Sequence, residues 1–243
     1  RNQAYDNILL DSVRGLGAGN DKAIVSNAAY AEGIDSGNFN VSSFDSDGFT
    51  MASPSSTDTQ NATGDTYVGW NWKAGGTAVS NTDGSITSSV SANPTAGFSI
   101  VKYTGEDNAG DTVGHGLSQA PELILVKDLT SAEDWQGYDA DGGPTKYIQL
   151  NDNGPYATDT TRWNDTAPTA TVFSLGTSDK VNDAGDDYIV YCWHSIEGYS
   201  KVGGYIANAS ASDGPFVYTG FKPAYLLVKC TSNSASWDVT DGV

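Results

Sequence analysis

Basic residues are scarce. Twelve Lys and Arg stand against 30 Asp and Glu, a formal net charge of −18 over 243 residues. Gripping phosphate backbones takes clustered Lys and Arg, so the balance argues against nucleic acid as a partner and against anionic lipid surfaces. Long apolar runs are missing as well. None approaches the roughly 20 residues of a membrane-spanning helix, so no membrane insertion is expected. Glu is nearly absent, five of the 30 acids (Glu32, Glu106, Glu122, Glu133 and Glu197), and there is one Met. Helix surfaces favour Glu, Lys, Leu, Met and Ala, so a helical bundle or coiled coil is disfavoured. The two cysteines, Cys192 and Cys230, are expected as buried small hydrophobes rather than as a bridge. With two histidines, His115 and His194, zinc has no case.

What the chain has in quantity is turn chemistry and aromatics. There are 28 Gly and 26 Phe, Tyr and Trp, and Asp, Asn, Ser and Thr cluster between short apolar runs, as turns require. Strands are expected at 98–103, 123–127, 146–150, 171–175, 188–194, 216–218 and 225–229 from their alternation or continuous apolar character. The run 123–127 is long enough for a strand buried on both faces and too short for a helix. Residues 23–31 give a weak helical signal. The expected fold is all-β, built of β-sandwich or jelly-roll-like units.

The units repeat internally. Pro121–Lys127 returns as Pro223–Lys229, and Trp135 as Trp237, at the same offset of 102. A second correspondence links Gly64–Trp72 to Gly185–Trp193, and Gly48–Met51 to Val172–Leu175. The organisation then reads as the carboxyl part of a first unit (1–73), a Gly/Ser/Thr-rich connector (74–96), a complete unit (97–198) and the amino part of a third (199–243). Ile86 and Val90 suggest one edge strand within the connector. Because the chain begins at Arg1 and cuts the repeat within a unit, a longer parent chain is expected.

Candidate chemistry is thin. No G-x-S-x-G elbow accompanies the histidines, which are read as packing or backbone-bonding groups in turns. Glycoside hydrolysis needs two carboxylates about 5–10 Å apart, and thirty acids supply such a pair by accident. Calcium is the cofactor the loops would suit, with Asp45 and Asp47, Asp139 and Asp141, and Asp183 and Asp186 as ligands. None completes a twelve-residue calcium loop, and the same residues serve ordinary Asx turns. Trp163 lies in a polar loop without a twin in the repeat, and it joins Tyr138 as a candidate ligand contact. Trp70 and Trp72 fall two apart on one strand face, Trp135 and Trp237 are equivalent across repeats, and all four are read as core.

Several motifs, taken together, resemble a known family. These are Phe44–Thr50, Tyr67–Gly75, Gly97–Val101, His115-Gly116-Leu117 with Pro121–Lys127, Trp163–Thr169 and Gly214–Phe221. They are similar to a domain of tail- or fibre-associated virion proteins of tailed bacteriophages, especially marine ones, and span about Ile8 to Trp237. The resemblance implies a virion structural or adhesion protein, with other virion proteins, copies of itself and bacterial surface glycans as partners. It carries over no catalytic residues. Two further readings stand beside it: a fibre-borne polysaccharide depolymerase, and a secreted or cell-surface filament subunit.

Overall fold

The computed structural model describes residues 6–17, 22–33, 41–52, 60–210 and 212–242. Among them the elements are β1 (Ile8–Leu9), β2 (Ile24–Val25), β3 (Val41–Phe44), β4 (Phe49–Met51), β5 (Val79–Asn81), β6 (Ser88–Asn93), β7 (Phe98–Thr104) and β8 (Asp111–Gly114). They continue with β9 (Leu123–Asp128), β10 (Gln136–Asp139), β11 (Lys146–Tyr147), β12 (Ala157–Thr158), β13 (Val172–Leu175), β14 (Asp187–Trp193), β15 (Tyr225–Val228) and β16 (Asp238–Asp241). Two single-turn helices, α1 (Thr160–Trp163) and α2 (Asp179–Asn182), are capped by Asp159 and Ser178. The chain is all-β, as its turn chemistry predicts.

A six-stranded antiparallel sheet in the order β10-β9-β14-β7-β6-β5 organises the centre. Its middle strands are apolar on both faces, and alternation divides them cleanly. Val101, Tyr103, Ile124, Val126, Tyr188, Val190 and Cys192 face one core, beneath the β8–β13 pair with Val113, Phe173 and Leu175. Phe98, Ile100, Leu125, Ile189 and Tyr191 face the other, where Ile24, Leu9 and Val13 of the β1–β2 hairpin cover them together with Trp135. Burial on both sides explains why 123–127 and 188–193 read as continuous apolar runs rather than as alternations.

The internal repeat holds at the level of register. β9 pairs with β10 through Leu123 opposite Asp139 and Val126 opposite Gln136. β15 pairs with β16 through Tyr225 opposite Asp241 and Val228 opposite Asp238. Every partner is displaced by 102.

Three expectations are corrected. The 74–96 segment is not a connector: it supplies β5 and β6, with β6 between β7 and β5 and with Ile86 and Val90 buried. Its turn hides the fact, because Gly84 sits so close to the Thr112 carbonyl that a Cβ would fall 2.2 Å from it. Glycine here marks close packing rather than a flexible link. Residues 23–31 form β2 and a turn rather than a helix. Residues 216–218, expected as a strand, stand in none.

Cys192 is buried and Cys230 half-buried, both as free thiols. Burial pushes the Cys192 thiol up to about 12, so it stays protonated. The Phe173 ring is 1 % exposed between the two sheets. Phe173→Ala is expected to cost about 3–5 kcal/mol, read as a shift of the denaturant midpoint.

Candidate functional site

The sequence-predicted site residues are dispersed. Trp163 is buried, donates its Nε1–H to the Lys146 carbonyl at 3.0 Å, and meets the buried Tyr138 ring edge-on at 6.0 Å. Both belong to the core, so neither presents a face to a ligand. The polar loop around Trp163 misled because α1 turns its tryptophan inward while its threonines stay outside.

The candidate calcium ligands are already engaged. Asp45 accepts from Thr50 Oγ1 at 2.6 Å and Ser43 Oγ at 2.8 Å, bonds that lower its pKa. Asp139 accepts from Gly142 N and Tyr156 OH, Asp183 from Ala184 N, and Asp186 from Ser131 Oγ. Asp141 lies against Gly204, and Asp47 is in the exposed β3–β4 turn. No three Asp, Glu, His or Cys groups converge as metal ligands among the described residues. Hydrogen bonds occupy four of the six carboxylates, Asp139 in a turn of its own, and the calcium expectation is not supported.

The histidines serve the backbone. His115 accepts from Leu117 N at Nδ1 and reaches the Thr169 carbonyl from Nε2, and burial lowers its pKa. His194 Nδ1 faces the Ser195 carbonyl at 2.9 Å, while the Ser195 hydroxyl donates to Glu122 at 2.5 Å. The imidazole therefore does not meet the hydroxyl as a base would.

Two oppositely charged groups with perturbed pKa values lie side by side on β9. Burial pushes Lys127 down to about 8 and Asp128 up to about 6, the latter despite N–H bonds from Ser131 and Thr130. Such pairs attract a catalytic reading. The geometry opposes it: Lys127 is wholly buried and donates to the Asp128 carbonyl at 2.6 Å. Its repeat counterpart Lys229 likewise ties down backbone, donating to the carbonyls of Asn153 and Ala235. Both amines are spent on backbone carbonyls. A shallow cleft between Lys73–Gly76 and Ala92–Pro94 has Lys73 as its one charged lining residue.

What the sequence analysis missed is a contact made twice. Trp135 Nε1–H donates to the Val25 carbonyl at 2.8 Å, and Glu32 N–H to the Leu129 carbonyl at 2.9 Å. Trp237 Nε1–H donates to the Gln149 carbonyl at 2.9 Å, and Tyr156 N–H to the Thr231 carbonyl at 3.0 Å. The tryptophans and the accepting loop residues are displaced by 102, and the strap residues (Val25 to Gln149, Glu32 to Tyr156) by 124. The same dock thus joins the leading segment to the middle unit and the middle unit to the trailing hairpin. The Asp11 turn repeats at Asp139: Gly15 N bonds the Asp11 carbonyl at 3.1 Å, and Gly143 N the Asp139 carbonyl at 3.0 Å. Leu9 opposite Ile24 recurs as the Gly137–Ile148 bridge. Only the match Ile24-Val25-Ser26-Asn27 to Ile148-Gln149-Leu150-Asn151 could have revealed this from sequence.

The first dock also holds a buried ion network. Arg14 bonds Asp11 at 2.6 Å and Glu32 at 3.0 Å, Lys22 bonds Glu32 at 2.7 Å, and Tyr191 OH donates to Asp11 at 2.8 Å. Burial alone would lower the Arg14 pKa, but Tyr191, Asp11 and Glu32 raise it above its ordinary value.

Fold and docks define an all-β repeat protein whose consecutive units join head to tail, each supplying the strap that the next tryptophan grips. All 243 residues match the domain of unknown function DUF7483, and the chain belongs to that family. No curated protein and no solved structure matches the chain.

Arg14→Ala leaves the buried Asp11 carboxylate without its cation, while Glu32 keeps Lys22, and is expected to cost about 3–5 kcal/mol. Accelerated amide exchange in β1 and β2, with β7 and β14 still protected, is the expected signature. The β9 pair predicts a pH signature. Folded Asp128 keeps its proton to about pH 6 against an ordinary 3.8, so its contribution to stability is lost as pH rises from about 4 to 6. Folded Lys127 loses its proton near 8 against 10.5, so its contribution is lost as pH falls through that window. Urea midpoints of Asp128→Asn should lack the first slope relative to the parent, and those of Lys127→Met the second.

Proposed function

We propose that the chain is a non-enzymatic structural and adhesion module of a tailed-phage virion, set in a tail fibre or capsid-attached fibre. The repeated dock carries this reading. A heterologous contact used twice in one chain, Trp135 on Val25 and Trp237 on Gln149, joins consecutive parts of the chain in one direction. Rigid two-faced sheets suit a load-bearing shaft. The acidic surface, at −18 overall, favours solubility in a crowded particle. Its partners in this reading are copies of itself and other virion proteins.

Loops rich in Asp, Asn and Ser lie at the ends of the sheets, and exposed rings such as Tyr199, 60 % exposed, offer flat faces for sugar rings. Weak single contacts with bacterial surface glycans would gain strength from many copies. The virion setting rests on the resemblance of the tryptophan-bearing motifs, and the shaft role on the dock.

Antibodies against the 243-residue protein, applied to purified particles of the phage that encodes it, should decorate fibres projecting from tail or capsid in electron micrographs. Label confined to cell-surface filaments would replace the virion reading with a secreted filament subunit. Host capsule incubated with the protein should be bound without losing length. Shortened chains would replace the adhesin with a depolymerase.

A further inference from the structure

The middle unit buries residues whose counterparts in the first and last segments lie open. Ile189 is fully buried, whereas its counterpart Val68 is 54 % exposed. Phe173 is 1 % exposed and its counterpart Phe49 46 %. On the other side of the chain, Ile124 is fully buried and its counterpart Leu226 49 % exposed, while Val113 is buried and Val217, its counterpart when His115-Gly116-Leu117 is matched to Thr219-Gly220-Phe221, is open. The two sets do not overlap. The first segment bears the counterparts of β13 and β14, and the last segment those of β8 and β9.

In the middle unit β14 runs between β9 and β7, with Trp193 opposite Leu123, Cys192 opposite Ile124 and Tyr191 opposite Leu125. The last segment lacks such a strand: β15 is bonded to β16 on one edge and to no other strand among the described residues. An unpaired edge is a template for another strand. The counterpart of β14 is Tyr67–Trp72, which stands in no ladder of the described residues. It is already close. The Trp72 ring lies edge-on to Tyr225 with centroids 5.9 Å apart, and Trp70 lies 5.7 Å from the same ring. Tyr225 is the counterpart of Leu123, and Leu123 is the residue opposite which Trp193 pairs.

We propose that Tyr67–Trp72 adds as a strand to the free edge of β15 in the same chain, so that the first and last segments together form a second unit. The addition is antiparallel, with Trp72 opposite Tyr225, Asn71 opposite Leu226 and Trp70 opposite Leu227. It brings Phe49 towards Val217 as Phe173 lies opposite Val113. The occupant belongs to the same chain because both tryptophans already contact Tyr225 there. Tethering also gives that strand a far higher effective concentration than a second copy at dilution. The exposed aromatics of the two segments are thus halves of a core.

A disulfide in register tests it, since opposed strand residues meet the Cα separation that a bridge needs. The 243-residue protein carrying Cys230→Ser receives either Asn71→Cys with Leu226→Cys, the predicted opposite pair, or Asn71→Cys with Val228→Cys, two residues out of register. All three positions lie outside the buried cores of the middle unit. Dilute protein is oxidised and resolved by non-reducing electrophoresis and peptide mass spectrometry. The opposite pair should close within the monomer at least about ten times faster than the out-of-register pair. Equal rates, or no closure in either, would overturn the strand addition. Closure into dimers and ladders at high dilution would overturn the same-chain seat and assign the strand to a second copy.

Discussion

The need to cover both faces of one sheet governs this molecule. β9, β14 and β7 carry apolar side chains on both sides, and bare apolar area costs roughly 25 cal/mol per Å². One face is closed from within the unit by β8 and β13. The other is closed by a hairpin from the preceding segment, with Ile24 at its centre and Trp135 hydrogen-bonded across it. A unit is therefore finished only by its neighbour. Tandem arrangement follows from packing, and the recurrence of the dock at Trp237 shows the same solution used again.

The acids divide their labour around that constraint. Several serve turns: Asp45, Asp139 and Asp183 accept hydrogen bonds from nearby backbone N–H or hydroxyl groups, a task that suits Asp better than Glu in a chain of short strands. Asp11, which also accepts from Val13 N and Arg14 N in its turn, and Glu32 have a second task. They sit in the dock and are made tolerable by Arg14 and by the Tyr191 hydroxyl. Buried ion groups of this kind add little net stability, yet they penalise misdocking because any other placement strands a charge. Lys127 on β9 similarly trades solvation for a fixed grip on the Asp128 carbonyl at the end of its own strand.

Local chemistry was readable where it was also sufficient. Alternation and turn residues located β7, β9, β13, β14 and β15, and the offset of 102 anticipated a shared hairpin register. Reading failed where a residue's partner lay far along the chain. Ser88 and Ser91 are buried although polar, so β6 looks like linker composition while lying inside a sheet. Trp163 and Tyr138 looked like contacts, and their burial depends on Lys146 and on each other. Phe216–Tyr218 has strand character but no strand opposite it, and a lone extended segment has nothing to repay its lost entropy. The calcium loops look plausible because Asx turns and calcium sites draw on the same side chains.

The sequence by itself determined the class, the strands buried on both faces, the repeat and the turn role of Asp. These depend on periodicity and on residue preferences within a few positions. Only the tertiary structure decided that 74–96 is sheet, that Trp163 is core, and that Trp135 and Trp237 bind the straps of preceding segments. Those outcomes turn on hydrogen bonds between residues such as Trp135 and Val25, 110 positions apart. Folding chooses such partners by shape and by the cost of leaving polar groups unpaired, and neither is written in local pattern.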